Sequence, residues 1–519
     1  MIGLNQRENG IVDPERVLPV DGEYDVIVTG GGIAGTAAGL AASRRGCETL
    51  IVERESSLGG LATVGLVNIP LDFVGGLGAE MFVRLKDLNA LWKRHSDPEK
   101  HKLLLDRMVR ESGCDVVFHT QVVDSIVAGG EIRGVVVESK SGRQAILGRR
   151  VIDASGDGDA ATFAGCDVMT GRPSDGMNMA ASLEFRLGGV DWDTYMDSDL
   201  MKTDPRWEKL IQESLADGRL PYEIDNHKNW LTHVPGRPEH CGRDEVSVCF
   251  AHSRNCKPLD NRDLTRMYFE GREQADILWK WIRDNVPGYK HCWLIDTAPL
   301  LGVRETRRVV GEYVLTGMDI AKSAHFDDVI AISGHGYDIH GCDHPGNIKW
   351  IEGEINGEKR YVICNMAGFG SSAFPPGGPD VLCDAEGRTG DDIQFPSPMY
   401  YDIPYRSLLP AGIDNLLVAG RCLSADFPAQ SGCRLIMACC NMGEAAGTAA
   451  ALSLDKNVQP RALDRTILQK SLLENNGNIG QTYRLIPDVT REIQSGLDPV
   501  RVYTQTAGAY GNKAFRKYT

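Results

Sequence analysis

Residues 24–35 read YDVIVTGGGIAG. Residues 24–29 are apolar and rich in β-branched side chains, the pattern of a buried strand. Three glycines follow, and residues 33–45 are dominated by alanine and other small residues, the pattern of a helix packed closely on that strand. Gly30, Gly32 and Gly35 keep a GxGxxG spacing, with Gly39 four residues further. The first glycine permits a tight turn, the second lets backbone approach a pyrophosphate, and the third lets helix and strand pack. The helix N-terminus then presents unpaired N–H groups to phosphate. Residues 49–52 read as a second strand with Glu53 at its end. A carboxylate there accepts hydrogen bonds from a ribose diol and repels a 2′-phosphate. Together these pieces form a Rossmann-type βαβ unit that binds a dinucleotide.

Outward from this unit, residues 115–118, 121–127 and 132–138 read as strands, the last two in a small hairpin layer. Residues 150–154 are another strand and run into DASGDGDAA. Far along the chain, 415–419 (NLLVA) is a strand entering Gly420 and Arg421, and a helix is expected over about 434–450. The expected fold class is therefore α/β: a Rossmann-like domain, discontinuous over 21–170 and 405–455, interrupted by a β-rich α+β substrate or cap domain at 171–404. Strand patterns in that insertion include SLEFRLGGV, DEVSVCFAH and VVGEYVLT, with a helix over about 263–284. Residues 1–20 read as an arm, and 456–519 as a helical extension with an amphipathic helix at 461–475. Residues 365–398 carry GFGSS, FPPGGPD and EGRTGDD in succession, either a lid or binding loop or a surface insertion.

Of 519 residues, 42% are hydrophobic and 24% charged, ordinary for a globular chain long enough for two or three domains. A net charge of −15 argues against nucleic acid as a partner. No apolar run reaches the roughly 18–20 residues of a membrane span. The N-terminal residues lack the apolar core of a secretion signal. The fourteen cysteines form no CxxC pair, which fits reduced thiols in a cytoplasmic protein. The adjacent Cys439 and Cys440 leave a vicinal redox pair as the alternative.

After Glu53 comes RESSLGGLATVGLVN. GxGxxGxxxG, then Glu53, then Gly59-Gly60, resembles the extended nucleotide motif of FAD enzymes with the glutathione-reductase-type fold. DASGDGDAA resembles the second FAD fingerprint of that group, and NLLVAGR the third. LGVRETRRVVGEYVLTGMDI (301–320), GYDIHG (336–341), YDIPYRSLLP (401–410) and MGEAAGTAAAL (442–452) are similar to a family of bacterial FAD-dependent oxidoreductases, distant relatives of the fumarate reductase flavoproteins. The resemblance runs from Tyr24 to about residue 477 and is specific for fold and cofactor. The 365–398 segment is longer than that family's pattern.

The resemblance implies that Ile33, Ala34 and the glycines around them hold the pyrophosphate. Glu53 and Arg54 would hold the adenosine ribose, and Gly59, Gly60, Leu61 and Ala62 the diphosphate and ribityl chain from the other side. Val123 would meet adenine through its backbone. Ala154, Ser155, Gly156 and Asp157 would lie near the cofactor, as would Gly420 and Arg421. A helix N-terminus after Gly432, with Arg434 beside it, would stabilise negative charge on the reduced flavin. Arg434 as an ion-pair arginine is the alternative.

The catalytic candidates lie in the insertion. A strand reading of LGVRETRRVV puts Arg304, Thr306 and Arg308 on one face, and a helix reading groups Arg304, Arg307 and Arg308. Arginines facing a flavin can bind a carboxylate bidentately, while Arg304 and Glu305 in buried ion pairs are the structural alternative. His340 matches the family pattern and could take a proton at neutral pH as hydride leaves, with His335 the second choice and a structural histidine the alternative. Tyr401 and Tyr405 are pocket walls or core. His340, Cys342 and His344 lack an evident fourth ligand, so no metal is expected.

The expected function is an FAD-dependent oxidoreductase moving a hydride between flavin N5 and a small hydroxylated or carboxylated substrate. GFGSS lacks a following helix pattern, so no separate NAD domain is expected. The electron acceptor would reach the flavin directly, as oxygen, a quinone, a carrier or a second substrate. Homo-oligomerisation stays open. The competing classes are a flavoprotein acting on RNA, against which the acidic charge counts, and a non-catalytic FAD-bound scaffold or redox sensor.

Overall fold

The computed structural model describes residues 15–70, 72, 74–92, 95–204, 207–222, 244–321, 324–335, 338–343 and 400–480, with the backbone alone of short strand pieces at 6–7, 10–11, 231–233, 349–355 and 358–364. The 365–398 segment, His344 and residues 481–519 lie outside these.

The opening apolar run forms the strand Val20–Thr29, longer than the 24–29 expected, because its first residues pair with the start of Gly142–Asp153. Around it lies a parallel set in the order Asp115–Val117, Thr49–Val52, Val20–Thr29, Gly142–Asp153, Leu416–Val418. The twelve-residue strand Gly142–Asp153 belongs to two layers at once. Its last three residues pair with Leu416–Val418, in parallel. Its first six pair with the antiparallel strand Glu131–Ser139, which continues to Gln121–Ala128. Strands buried on both faces are near-continuous in apolar residues, and Val26, Ile27, Val28, Ile51, Val151 and Ile152 are fully buried. The protein is thus an α/β chain with a Rossmann-like dinucleotide-binding domain.

The helix Ile33–Ser43 is buried along its whole length. It packs on Ile436–Asp455, a twenty-residue helix of small side chains. A Cβ at Gly443 would stand 2.0 Å from the carbonyl oxygen of Ala34, and one at Gly447 2.1 Å from that of Ala38. These two glycines, one turn apart, set the spacing of the pair. The helix expected at 434–450 therefore begins two residues later. A separate helix, Phe427–Cys433, precedes it at 92°. Arg434 sits at the corner. Among the described residues no single helix is long and apolar enough to cross a membrane.

The cap is a second core. The antiparallel sheet Leu231–His233, Glu245–Ser253, Ala181–Gly188, Trp293–Thr297 packs one face on the amphipathic helix Asn261–Asn285. Phe185, Trp207, Val248, Leu278 and Tyr289 fill the space between them. The insertion leaves and returns through a two-stranded stem, Val168–Thr170 against Arg307–Val309. Residues of the paired strands Val329–Ser333 and Tyr401–Pro404 join the core of the dinucleotide-binding domain. Tyr405 lies there too, its hydroxyl donating to the Pro460 carbonyl at 2.9 Å.

Candidate active site

The glycine turn divides into positions filled by the protein and one left open. Gly30 has φ +92°, and a Cβ on it would meet the Ala154 carbonyl at 2.6 Å. A Cβ at Gly35 would lie 1.8 Å from the Gly30 oxygen. At Gly32 an added Cβ meets nothing within 4 Å. That open space stands at the N-terminus of Ile33–Ser43, where Ile33, Ala34 and Gly35 supply first-turn N–H groups. Gly59 donates to the Gly31 carbonyl at 2.8 Å, and a Cβ at Gly60 would come 3.0 Å from Gly32 Cα, so the Gly59–Gly60 turn lies on the first one. Leu61 and Ala62 complete the short 3-10 turn Gly60–Ala62.

Glu53 is buried at the end of its strand. Its Oε2 accepts from the Gly31 N–H and its Oε1 from the Glu55 N–H at 2.7 Å. Burial pushes this carboxyl above its ordinary pKa, against those two hydrogen bonds. Arg54 projects half-exposed, in the field of Asp157, Glu55 and Asp159. Val123 is the extra residue where the ladder slips between Val122 and Asp124, a bulge that turns its backbone out of the sheet pairing.

The DASGDGD turn is built on Asp153, fully buried. Its carboxylate accepts from the Ser155 N–H and hydroxyl and from the Ala161 N–H at 2.9 Å. Ala154 donates to the Thr29 carbonyl, seating this turn against the glycine turn. Gly156 (φ +82°) faces the Arg421 guanidinium. Asp157 accepts from Arg421 Nη2 at 3.1 Å and from the Thr306 hydroxyl at 2.7 Å. Gly420 (φ +84°) brings the third turn onto Ala34, where a Cβ would lie 3.1 Å from the Ala34 methyl. The glycine turns at 30–35, 59–60, 156 and 420 thus meet in one crevice.

Gln430 ties the third turn to a charged group, donating to the Arg421 carbonyl at 3.3 Å and to the Arg304 carbonyl at 3.0 Å. Arg434, at the helix corner, donates to Asp338 Oδ2 at 2.8 Å and to the Asp338 carbonyl at 2.9 Å. Asp338 Oδ1 lies 3.3 Å from His340 Nε2. His340 Nδ1 is buried, with no hydrogen-bond partner among the described residues. The imidazole stacks on His252, centroids 5.6 Å apart at 19°. Arg304 donates to the Ala180 carbonyl at 2.6 Å, and its Nη2 lies 3.4 Å from His252 Nε2. The expected strand through 301–310 shrinks to Arg307–Val309, so neither proposed face exists. Each side chain of the stretch goes its own way. Arg304 goes to His252, Thr306 to Asp157, and Arg307 to Asp159. Arg308 goes to Glu305, Gly171 and Ala425. The Glu305–Arg308 pair is buried, the arrangement of a structural ion pair.

Electrostatics sets the protonation of this group. Burial works against the Asp338 anion, but His340 and Arg434 hold its carboxyl well below the usual range. Burial first, then Arg304, pull His340 below its ordinary 6.5, with Asp338 opposing. The imidazole is therefore neutral at pH 7. An anionic Asp338 at Nε2 requires the proton there, which leaves the lone pair on Nδ1. Gln430 Oε1, Arg421 Nη1 and Arg434 Nε are also buried without a hydrogen-bond partner among the described residues. An open glycine cradle together with unsatisfied polar atoms fits a bound dinucleotide such as FAD.

Sequence reasoning passed over Asp338 and His252. Asp338 stood inside the quoted GYDIHG. His252 ends DEVSVCFAH, where strict alternation puts it in phase with Val246, Val248 and Phe250, and a slip of the ladder beside Glu184 brings it opposite Ser182 instead. Cys439 lies against Gly420, whose added Cβ would be 3.9 Å from its sulfur, whereas Cys440 faces Gly78. Burial pushes the Cys439 thiol up to about 12 and holds the Cys440 thiol well above its ordinary value. No cluster of three or more metal-ligating side chains occurs among the described residues.

Residues 25–472 match the family described as FAD dependent oxidoreductase. The chain belongs to this family. FAD is its cofactor, and the chain is an FAD-dependent oxidoreductase enzyme. It is 30% identical over 161 residues to a tRNA uridine 5-carboxymethylaminomethyl modification enzyme, MnmG, of Geobacter sulfurreducens, covering 27% of this chain and 25% of that protein. The chain thus spans about a quarter of the length of the curated relatives it matches. Among solved structures, p-nitrophenol 4-monooxygenase PnpA of Pseudomonas putida aligns over 96% of this chain and 92% of its own, at 10% identity and TM-score 0.42. A geranylgeranyl bacteriochlorophyll reductase-like protein of Thermoplasma acidophilum aligns over 96% and 99%, at 12% identity and TM-score 0.38.

Proposed function

We propose that this FAD enzyme moves a hydride between its flavin and a small hydroxylated or carboxylated substrate held where cap and dinucleotide-binding domain meet, with His340 as the base. The observation that carries this reading is the Asp338–His340 pair, in which a buried imidazole held at Nε2 keeps an Nδ1 with no hydrogen-bond partner among the described residues. Asp338 fixes the tautomer, and Arg434 fixes Asp338. Bound FAD supplies a two-electron acceptor for hydride. As the C–H bond hands over its electron pair, His340 Nδ1 takes the hydroxyl proton. The same imidazolium returns it when the reaction runs in reverse. Arg304, held by Ala180 and His252, supplies fixed positive charge for a substrate carboxylate. Arg434 and Arg421 supply it for negative charge on the cofactor. Arg308, whose donors go to Glu305, Gly171 and Ala425, is assigned to holding the stem.

By the same reading the glycine turns, Ile33, Ala34, Glu53, Arg54 and the backbone at Val123 hold the cofactor. The electron acceptor reaches the flavin without a second nucleotide domain. An anaerobic screen of hydroxy acids and polyols for loss of the flavin absorbance tests the proposal. Bleaching by one class in the wild type, absent in His340→Ala with FAD still bound, is expected. Bleaching at an unchanged rate in the variant overturns the base assignment. The MnmG match favours a second reading, an RNA substrate. Salt-sensitive RNA retention would support it, and no retention at low salt would remove it.

A further inference from the structure

The cap sheet has an apolar face toward the helix Asn261–Asn285 and a polar face opposite. Ser182, Glu184, Ser247 and Cys249 occupy the polar face, on the paired strands Ala181–Gly188 and Glu245–Ser253. Glu184 is 8% exposed. Its environment can be read by counting hydrogens. Ser247 Oγ lies 3.1 Å from Glu184 Oε2 and 3.2 Å from the Leu66 carbonyl oxygen. A serine hydroxyl carries one proton, and a carbonyl only accepts. With an ionised Glu184, the carboxylate and the Leu66 carbonyl compete for that proton, and the charged acceptor draws it from Leu66 even though the Cys249 thiol also donates to Glu184. With a neutral Glu184, the acid donates to Ser247 and Ser247 donates to Leu66, so every atom is paired.

Leu66 is itself unusual. It follows the Gly59–Gly60 turn in the dinucleotide-binding domain, yet its side chain lies in the cap core. Its φ is +60°, a left-handed conformation that a bulky residue keeps only when its surroundings hold it. The segment 59–67 is thus fastened to the cap by a leucine in a socket and by one hydrogen-bond chain.

We propose that Glu184, as a neutral carboxylic acid, is a positioning residue that fastens segment 59–67 through Ser247 and Leu66, and that ionising it loosens FAD. The proposal rests on the reading that Gly59–Ala62 contacts FAD. Burial pushes the Glu184 carboxyl up to about 8, against Ser247, Cys249 and Arg304, which favour the anion. The groups around it are accounted for. The Cys249 thiol on the neighbouring strand is pushed up to about 12. Arg304 comes from the segment beyond the sheet and is bound to Ala180 and His252. Arg186, two residues along the same strand, is engaged by Asp296. The dinucleotide-binding domain contributes the Leu66 carbonyl.

The test is the FAD dissociation constant from about pH 6.5 to about 9.5, read by flavin fluorescence. Wild type is expected to bind evenly below about pH 8 and to weaken above it, by up to about tenfold per pH unit. Glu184→Gln keeps a donor toward Ser247 at every pH. It should match the low-pH wild type throughout, with no alkaline weakening. Ser247→Ala cuts the chain and should bind weakly and evenly. A Glu184→Gln curve that follows the wild-type pH dependence, or that is weak at pH 7, overturns the proposal. Gly60→Ala separates the underlying reading. Unchanged FAD affinity in that variant removes the contact of the segment with FAD, whereas a weakened Gly60→Ala beside a pH-indifferent wild type removes the role of Glu184 alone.

Discussion

An alanine at position 32 separates what the fold needs from what the cofactor needs. Gly32 has φ −57°, ordinary for any residue, and an added methyl meets no protein atom within 4 Å. Its cost to the chain alone is that of a poorer helix N-cap, up to about 1 kcal/mol. If the space over Gly32 is where diphosphate oxygens approach the backbone, the methyl intrudes on them. Crowding of that kind costs about 1–3 kcal/mol, a loss of roughly 5- to 150-fold in FAD affinity. Gly35→Ala is the contrast, because its Cβ would stand 1.8 Å from a backbone oxygen and must displace the strand–helix packing whether or not FAD is present. Thermal melts of flavin-free protein and FAD titrations of both variants give the comparison. Gly32→Ala should melt near wild type and bind poorly, and Gly35→Ala should do badly in both. A Gly32→Ala protein that binds FAD within about twofold of wild type, or that melts like Gly35→Ala, would refute the cradle.

Three further outcomes follow from the charged group, and a fourth from the buried Glu305–Arg308 pair. His340→Asn should retain FAD and lower the rate of flavin reduction by substrate by about 10²- to 10⁴-fold, measured by anaerobic stopped flow. Since burial and Arg304 depress the His340 pKa, the wild-type rate should rise with pH below 6.5 and be level at 7. Asp338→Asn removes the anion that favours the imidazolium, so its acid limb should move to still lower pH while the plateau falls. Arg308→Met leaves Glu305 buried without its cation and should cost about 3–5 kcal/mol in denaturant unfolding. A catalytic Arg308 would instead lower the rate at unchanged stability.

The dinucleotide-binding half was legible because its signals are local. A strand, three spaced glycines and an acidic residue at the next strand end sit within thirty residues, and backbone geometry demands glycine at 30 and 35. The crevice was legible only in part. Arg304, Thr306, Arg307 and Arg308 looked periodic, but each is claimed by a partner more than 100 residues away in sequence or by a buried acid three residues back. Periodicity cannot encode such pairings. Asp338 and His252 were invisible as partners for the same reason, and so was Glu184, whose contact with Ser247 leads on to a carbonyl from another domain. The helix start expected at about 434 was legible to within two residues, but the preceding helix Phe427–Cys433, which makes Arg434 a corner, was not.

The two-stranded stem has a consequence for how such a protein can change. Thr170 and Arg307 pair directly, so the ends of the insertion are about 5 Å apart, and the cap is closed like a cartridge on one short seam. Exchanging it would carry Ser182, Glu184, His252 and Arg304 away together while His340, Asp338 and Arg434 stay behind. Recognition would travel and proton handling would not. The socket for Leu66 and the His252–His340 stack are fittings a replacement would have to reproduce, so compatibility between foreign caps and this chassis should be decided there before any substrate is met.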